Sequence, residues 1–150
     1  MSSKFSCSGQ TCVCTNRIHV QKEVSEEFDR RLVEQVEKLR CGAGLSEEST
    51  QGPSINRAAV QEVEAHIESA ISKGARVRTG STVPAGLDQG FFFQPTVLSG
   101  LTTDMAVARD EIFGPLAAIF IFESEDEVVR MANSTELVSR VISIPEISAG

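Results

Sequence analysis

The sequence predicts an α/β fold: a mainly parallel sheet with flanking helices. Three observations carry that expectation. Short β-prone stretches alternate along the chain with segments of helical period, the pattern of a sheet covered by helices. Leu116 to Phe122 is a continuous apolar run between Gly114-Pro115 and Ser124, as expected of a central strand buried on both faces. Two helical segments open on residues that cap helices, Asn56 and Ser124.

The elements follow in order. Met1 to Ser3 reads as a short leader before organised sequence from Lys4. Arg17 to Val20 alternates apolar and polar residues, which predicts a short strand with His19 on its solvent side. A helix should follow, capped by Ser25 and closed by Gly42. Val24, Phe28, Leu32, Val36 and Leu39 form its buried face. Cys41 to Pro53 is rich in Gly and Ser and predicts a loop. Asn56 should cap a second helix that buries Val60, Val63, Ile67 and Ile71, carries His66 on one face, and ends at Lys73-Gly74. Ala75 to Thr79 predicts a strand and Gly80 to Gly90 a surface loop. Phe91 to Leu98 is β-prone, with Pro95 placing it at an edge or a bend. Asp104 to Ile112 predicts a short helical piece, broken by Phe113-Gly114-Pro115. Ser124 should cap a third helix through about Asn133. The tail from Leu137 to Gly150 has no clear period and falls outside this pattern.

Composition narrows the functional classes. The chain has 150 residues, one domain's worth, and 14 basic against 21 acidic side chains give a net charge of −7. A chain this acidic is a poor nucleic-acid binder. With 41% apolar and 23% charged residues it reads as a soluble globular domain. Its longest apolar run falls far short of the roughly 20 residues a bilayer span needs, so no membrane association is expected. The stretch from Lys4 to Cys14 has no apolar core and does not read as a secretory signal. Cysteines at 7, 12, 14 and 41 do not form a disulfide scaffold, and an intracellular, reducing compartment is expected.

Candidate chemistry gathers in two places. Gly9-Gln10-Thr11-Cys12-Val13-Cys14 presents a cysteine on a loop, where a thiolate can attack a carbonyl carbon. With an aldehyde it would form a thiohemiacetal able to lose hydride to a nicotinamide, leaving a thioester for water to cleave. A buried structural cysteine is the commoner state, and the residues alone leave both readings open. Zinc fits poorly, because C-x4-C-x-C lacks a second ligand pair, and no metal is expected. The second place is Glu111-Ile112-Phe113-Gly114-Pro115, where a carboxylate beside an aromatic and a Gly-Pro break could bond a ribose diol. A solvated charge at a helix end is the plainer alternative for Glu111. Phe91-Phe92-Phe93 reads as core and edge packing.

Together the pieces resemble the aldehyde dehydrogenase superfamily from Lys4 to about Glu136. The resemblance rests on K-F-x-x-S-G-Q-T-C-V-C-T-N-R-I at Lys4 to Ile18, V-S-E-E-F-D-R-R-L-V at Val24 to Val33, and Gly52-Pro53 with I-N after it. It continues through F-F-F-Q-P-T-V-L at Phe91 to Leu98, A-R-D-E-I-F-G-P at Ala108 to Pro115, and M-A-N-S-T-E at Met131 to Glu136. G-Q-T-C-V-C-T-N-R is most similar to the succinate-semialdehyde dehydrogenase branch.

The resemblance implies roles and boundaries. Cys12 matches the catalytic nucleophile, Gly9 to Thr11 its presenting loop, and the Cys12 N–H half of the oxyanion hole. Cys14 matches a cysteine that pairs with the nucleophile as a redox switch in some members. Glu111 matches the carboxylate on the nicotinamide ribose, and Phe113 the aromatic beside the cofactor, which is NAD or NADP. The expected substrate is a small aldehyde, possible association with full-length aldehyde dehydrogenase subunits gives an alternative reading as a non-catalytic module, and the expected compartment is cytoplasmic or mitochondrial. Residues 1–136 are expected to be a partial catalytic domain and 137–150 a non-matching tail. The family's cofactor domain, general-base glutamate and oxyanion-hole amide lie outside the matched region, so the chain alone is expected to be inactive. Ser6 and Cys7 stand where the branch has a basic residue and Asn. That basic residue contacts a substrate carboxylate, and Lys4, two residues away, is the nearest charge able to compensate.

Overall fold

The computed structural model describes residues 2–134 and 141–144. The chain opens with one helical turn, α1 (Ser2–Phe5), and a 3-10 turn over Ser6–Gly9. The expected strand spans Arg17–Gln21 (β1) and runs straight into α2 (Lys22–Val36). This helix starts ahead of Ser25, the expected cap. Gln21 holds the cap position in extended conformation, and Ser25 Oγ donates to Lys22 O at 2.7 Å from inside the first turn. A direct strand-to-helix junction leaves Ser25 no loop to occupy. The helix also ends before Gly42, where Lys38 N donates to Gln35 O and Leu39 N to Val36 O, tightening the last turn.

The next helix, α3 (Arg57–Ser72), begins as expected, with Asn56 Oδ1 accepting from Ala59 N at 2.9 Å. Val60, Val63 and Ile67 are buried, but Ala70 completes the stripe and Ile71 is 47% exposed. From Ile67 the buried face continues three residues on rather than four. Strand β2 (Arg76–Thr79) pairs antiparallel with β3 (Thr96–Ser99). The β-prone stretch from Phe91 thus yields a strand only after Pro95, which has no N–H for a ladder. Thr96 is the first to bond, its N–H donating to Pro115 O at 2.8 Å. The helical piece expected over 104–112 is a single 3-10 turn, Ala106–Ala108. Strand β4 is Leu116–Phe122 and α4 is Glu125–Ala132. Ser124 Oγ caps α4 by accepting from Glu127 N, while the Glu127 carboxylate accepts from Glu123 N–H. Val141–Ile144, within the tail the pattern leaves unplaced, forms a further strand, β5, parallel to β1.

The sheet order is β2-β3-β4-β1-β5, parallel throughout except for β2. The chain is therefore α/β with a mainly parallel sheet. Two apolar clusters cover its faces. Leu116, Ala118 and Phe120 pack with the α3 stripe, Leu98 and Ile112, while Ala117 and Ile119 pack with Ile18, Val20 and the apolar face of α2. Successive β4 residues point to opposite clusters, which is why the run is apolar without alternation. This buried setting corrects the expectation for His19. It lies on β1 between β4 and β5, is 1% exposed, and tilts against the Phe120 ring at 5.6 Å between centroids. Burial, and then the Arg17 charge, push its pKa down to about 4. His66 is also buried, on α3. Among the described residues no helix is long and apolar enough to cross a membrane.

Candidate active site

Cys12 is carried by a short segment with unusual backbone. Cys7, Ser8 and Gly9 have φ of 49°, 55° and 75°, a run in the left-handed region that is costly for the non-glycine pair. Side chains hold the run in place. Ser8 Oγ donates to Gly52 O at 2.8 Å. Gln10 Nε2 donates to Cys7 O and Pro53 O, and its Oε1 accepts from Ile55 N at 2.8 Å. Gln10 thus ties the cysteine loop to the Gly52-Pro53 segment that the resemblance also matches.

The turn from Thr11 to Cys14 follows, closed by Cys14 N donating to Thr11 O at 2.9 Å. Cys12 is exposed on this turn, and so are Cys7 and Ser6. Cys14 is buried, its Sγ 3.0 Å from Thr11 Oγ1 and 3.6 Å from Ser6 O. All four cysteines are free thiols. The two thiols of Cys-Val-Cys therefore differ sharply in access.

The second candidate loop packs directly on this segment. Gly9 touches Gly114: a Cβ on Gly9 would lie 2.0 Å from Gly114 O, so the position requires glycine for space as well as for φ. Ile112 N donates to Asn16 Oδ1 at 3.2 Å, and Lys4 Nζ donates to Ile112 O at 3.3 Å. Ile112 is buried at 1% exposure, whereas its neighbours Glu111 and Phe113 are exposed. The structure brings together the loops that carry Cys12 and Cys14 on one side and Glu111 and Phe113 on the other. Lys4, offered by the sequence as a spare charge for substrate, is instead 2% exposed and committed to this interface. Burial pushes its pKa down to about 8, opposed by the Cys14 thiol and the Glu111 carboxylate. Asn16 and Ile112 had no signal in the sequence beyond lying inside the matched motifs.

A groove of ≈ 680 Å³ lies elsewhere, lined by Asp29, Arg30, Arg76, Arg78 and Ile121 among others, and contains none of these residues. Arg78 Nε donates to Asp29 Oδ2 in it at 2.8 Å.

A mainly parallel sheet covered on both faces carries an exposed thiol turn on a segment that packs, through Lys4, Gly9 and Asn16, against the loop bearing Glu111. The sequence profile of the aldehyde dehydrogenase family matches residues 1–142, and the chain belongs to that family. The 3-sulfolactaldehyde dehydrogenase of Pseudomonas putida is 51% identical over 136 residues, covering 91% of this chain and 28% of that protein. The NADP(+) succinate-semialdehyde dehydrogenase 2 of Schizosaccharomyces pombe is 44% identical over 134 residues, covering 89% of this chain and 27% of its own length. The crystal structure of succinate-semialdehyde dehydrogenase from Burkholderia pseudomallei matches with a TM-score of 0.91 and 47% identity, over 98% of this chain and 30% of that one. The chain spans about a quarter of the length of the curated relatives it matches.

Proposed function

We propose that the chain is the nucleophile-bearing part of an aldehyde dehydrogenase that uses NAD or NADP to oxidise a small aldehyde to its carboxylic acid. The observation that carries this reading is the contact between two loops: one exposes Cys12, and the other, bonded to the same segment, exposes Glu111 and Phe113. In this reading the Cys12 thiolate adds to the aldehyde carbon, and the Cys12 N–H stabilises the charge developing on the carbonyl oxygen. Water releases the acid from the Cys12 thioester. A bound nicotinamide supplies the hydride acceptor. Glu111 and Phe113 suit that cofactor, because both side chains are exposed while the backbone between them is held in the core; Glu111 would hold the ribose hydroxyls. Cys14 is the proposed redox partner of Cys12.

The names of the relatives point to an aldehyde with an anionic group at its far end. Ser6, where the resemblance puts a basic residue, offers a hydroxyl and no charge. Succinate semialdehyde is therefore expected to be a poor substrate of an enzyme carrying this segment. The 150 residues alone are expected to bind dinucleotide weakly and produce no NADH. Glu111 supplies one charge-assisted contact, on the order of 1.5–3 kcal/mol, against roughly 8 kcal/mol for a micromolar site.

The test is brief iodoacetamide treatment of the chain at neutral pH, read by peptide mass spectrometry. Cys12 should be alkylated ahead of Cys7, Cys14 and Cys41. Cys7 is the demanding control, because it is exposed in the same segment. Preferential labelling of Cys7 or Cys41 would overturn the assignment.

A further inference from the structure

We propose that Lys4 and Asn16 are positioning residues: they fix Glu111 and Phe113 relative to Cys12 by holding the peptide groups on either side of Ile112. This rests on the roles proposed above for Cys12, Glu111 and Phe113. The bond from Ile112 N to Asn16 Oδ1 holds the peptide that joins Glu111 to Ile112. The bond from Lys4 Nζ to Ile112 O holds the peptide that joins Ile112 to Phe113. Each positioned side chain is thus one bond from a clamped peptide. Lys4 and Asn16 flank Cys12 in sequence, so the clamp spans the turn that presents the thiol.

Three further facts favour a positioning role over packing alone. Burying an ammonium is costly, and an apolar side chain would fill the same space more cheaply. Lys4 is buried nonetheless, and its Nζ is spent on a backbone carbonyl of the other loop. The Ile112 side chain is anchored in the α3 cluster with Val63, so the peptides being held are attached to the core. Finally, Gly9 and Gly114 meet without side chains between them, which lets the backbones approach closely enough for both bonds.

The test uses the 150-residue chain and its Lys4→Met, Lys4→Arg, Asn16→Ala and Asn16→Asp variants. Amide exchange is compared at Ile112, whose N–H bonds Asn16, and, as references within the sheet, at Val20 and Ile119. Lys4→Met and Asn16→Ala should lower protection at Ile112 by about tenfold or more, the scale of removing one partner from a buried bond. Val20 and Ile119 should be unchanged. Lys4→Arg and Asn16→Asp, which restore a donor and an acceptor, should recover most of the loss. A second readout does not depend on a variant that folds poorly. The Ile112 carbonyl-carbon shift of the wild-type chain should step near the Lys4 pKa of about 8. Among the described residues the other titratable groups facing Lys4 are Cys14 and Glu111, so the step should survive Cys14→Ser and vanish in Lys4→Arg. Exchange that changes no more at Ile112 than in the strands, or Met serving as well as Arg, would overturn the proposal. So would a carbonyl shift that is flat through that range. Alkylation keeps the two readings apart: Cys12 labelled first with no local exchange effect sinks the clamp alone, whereas Cys7 labelled first sinks the nucleophile assignment.

Discussion

His19 should make the chain lose stability in mild acid. Its ring is buried on a central strand beside Phe120, and neither Nδ1 nor Nε2 has a hydrogen-bond partner among the described residues. Protonation would put an unpaired charge there, which is why burial and then Arg17 hold the pKa at about 4 against an ordinary value of 6.5. The sign follows from linkage. Between these values the unfolded chain binds the proton and the folded chain does not, so stability present above pH 6.5 is lost as the pH falls and levels off below about pH 4. From neutral pH to about pH 4.5 the loss integrates to about 2.5 kcal/mol. Carboxylates titrate in the same range, so the measurement is a double difference. Urea unfolding of wild type and His19→Leu is followed at neutral pH and at about pH 4.5. The drop in wild type should exceed the drop in His19→Leu by about 2.5 kcal/mol, since the carboxylates are common to both. Lys4, with its pKa near 8, is protonated in both states across this window. Equal drops, or an NMR titration of the His19 ring near 6.5, would show that the ring is solvated and the reasoning wrong.

Other predictions follow from local geometry. Gly9→Ala places a Cβ 2.0 Å from Gly114 O at φ 75° and should destabilise the chain by about 2–5 kcal/mol, seen as a lower Tm with altered Cys12 alkylation. An unchanged melt would mean the loops are not in contact. Asn56→Ala removes the acceptor for Ala59 N and should cost about 1 kcal/mol in urea unfolding, with Asn56→Asp close to wild type. Peroxide should oxidise Cys12 and Cys14 to a disulfide, with a loss of two hydrogens on the peptide that contains both and easy reversal by a mild reductant. Pairing of Cys12 with Cys7 in that experiment would remove Cys14 from the proposed redox role.

The class of fold, the central strand and the helix starts at Asn56 and Ser124 were legible in the sequence because each depends on local chemistry. An apolar run without alternation can only be a strand or helix covered all round, and a capping side chain bonds an amide three residues away. The two candidate loops were legible too, through motifs whose order and spacing resemble a family. Some expectations failed locally, as where the direct β1–α2 junction displaced the cap from Ser25 and Pro95 delayed β3, whereas others were decided by a distant neighbour. His19 is shielded on a central strand against the Phe120 ring, and Ala70 rather than Ile71 completes the buried stripe through the way α3 packs on the sheet. The joining of the two loops was of the same kind. Asn16 and Lys4 meet Ile112 across 96 and 108 residues of sequence, through single hydrogen bonds that leave no periodicity to read. The sequence by itself determined the central strand, the starts of α3 and α4 and the residue types capable of chemistry. Only the packed tertiary structure decided which loop Lys4 would serve, because the gain that offsets a buried charge exists only once the carbonyl of Ile112 is in reach.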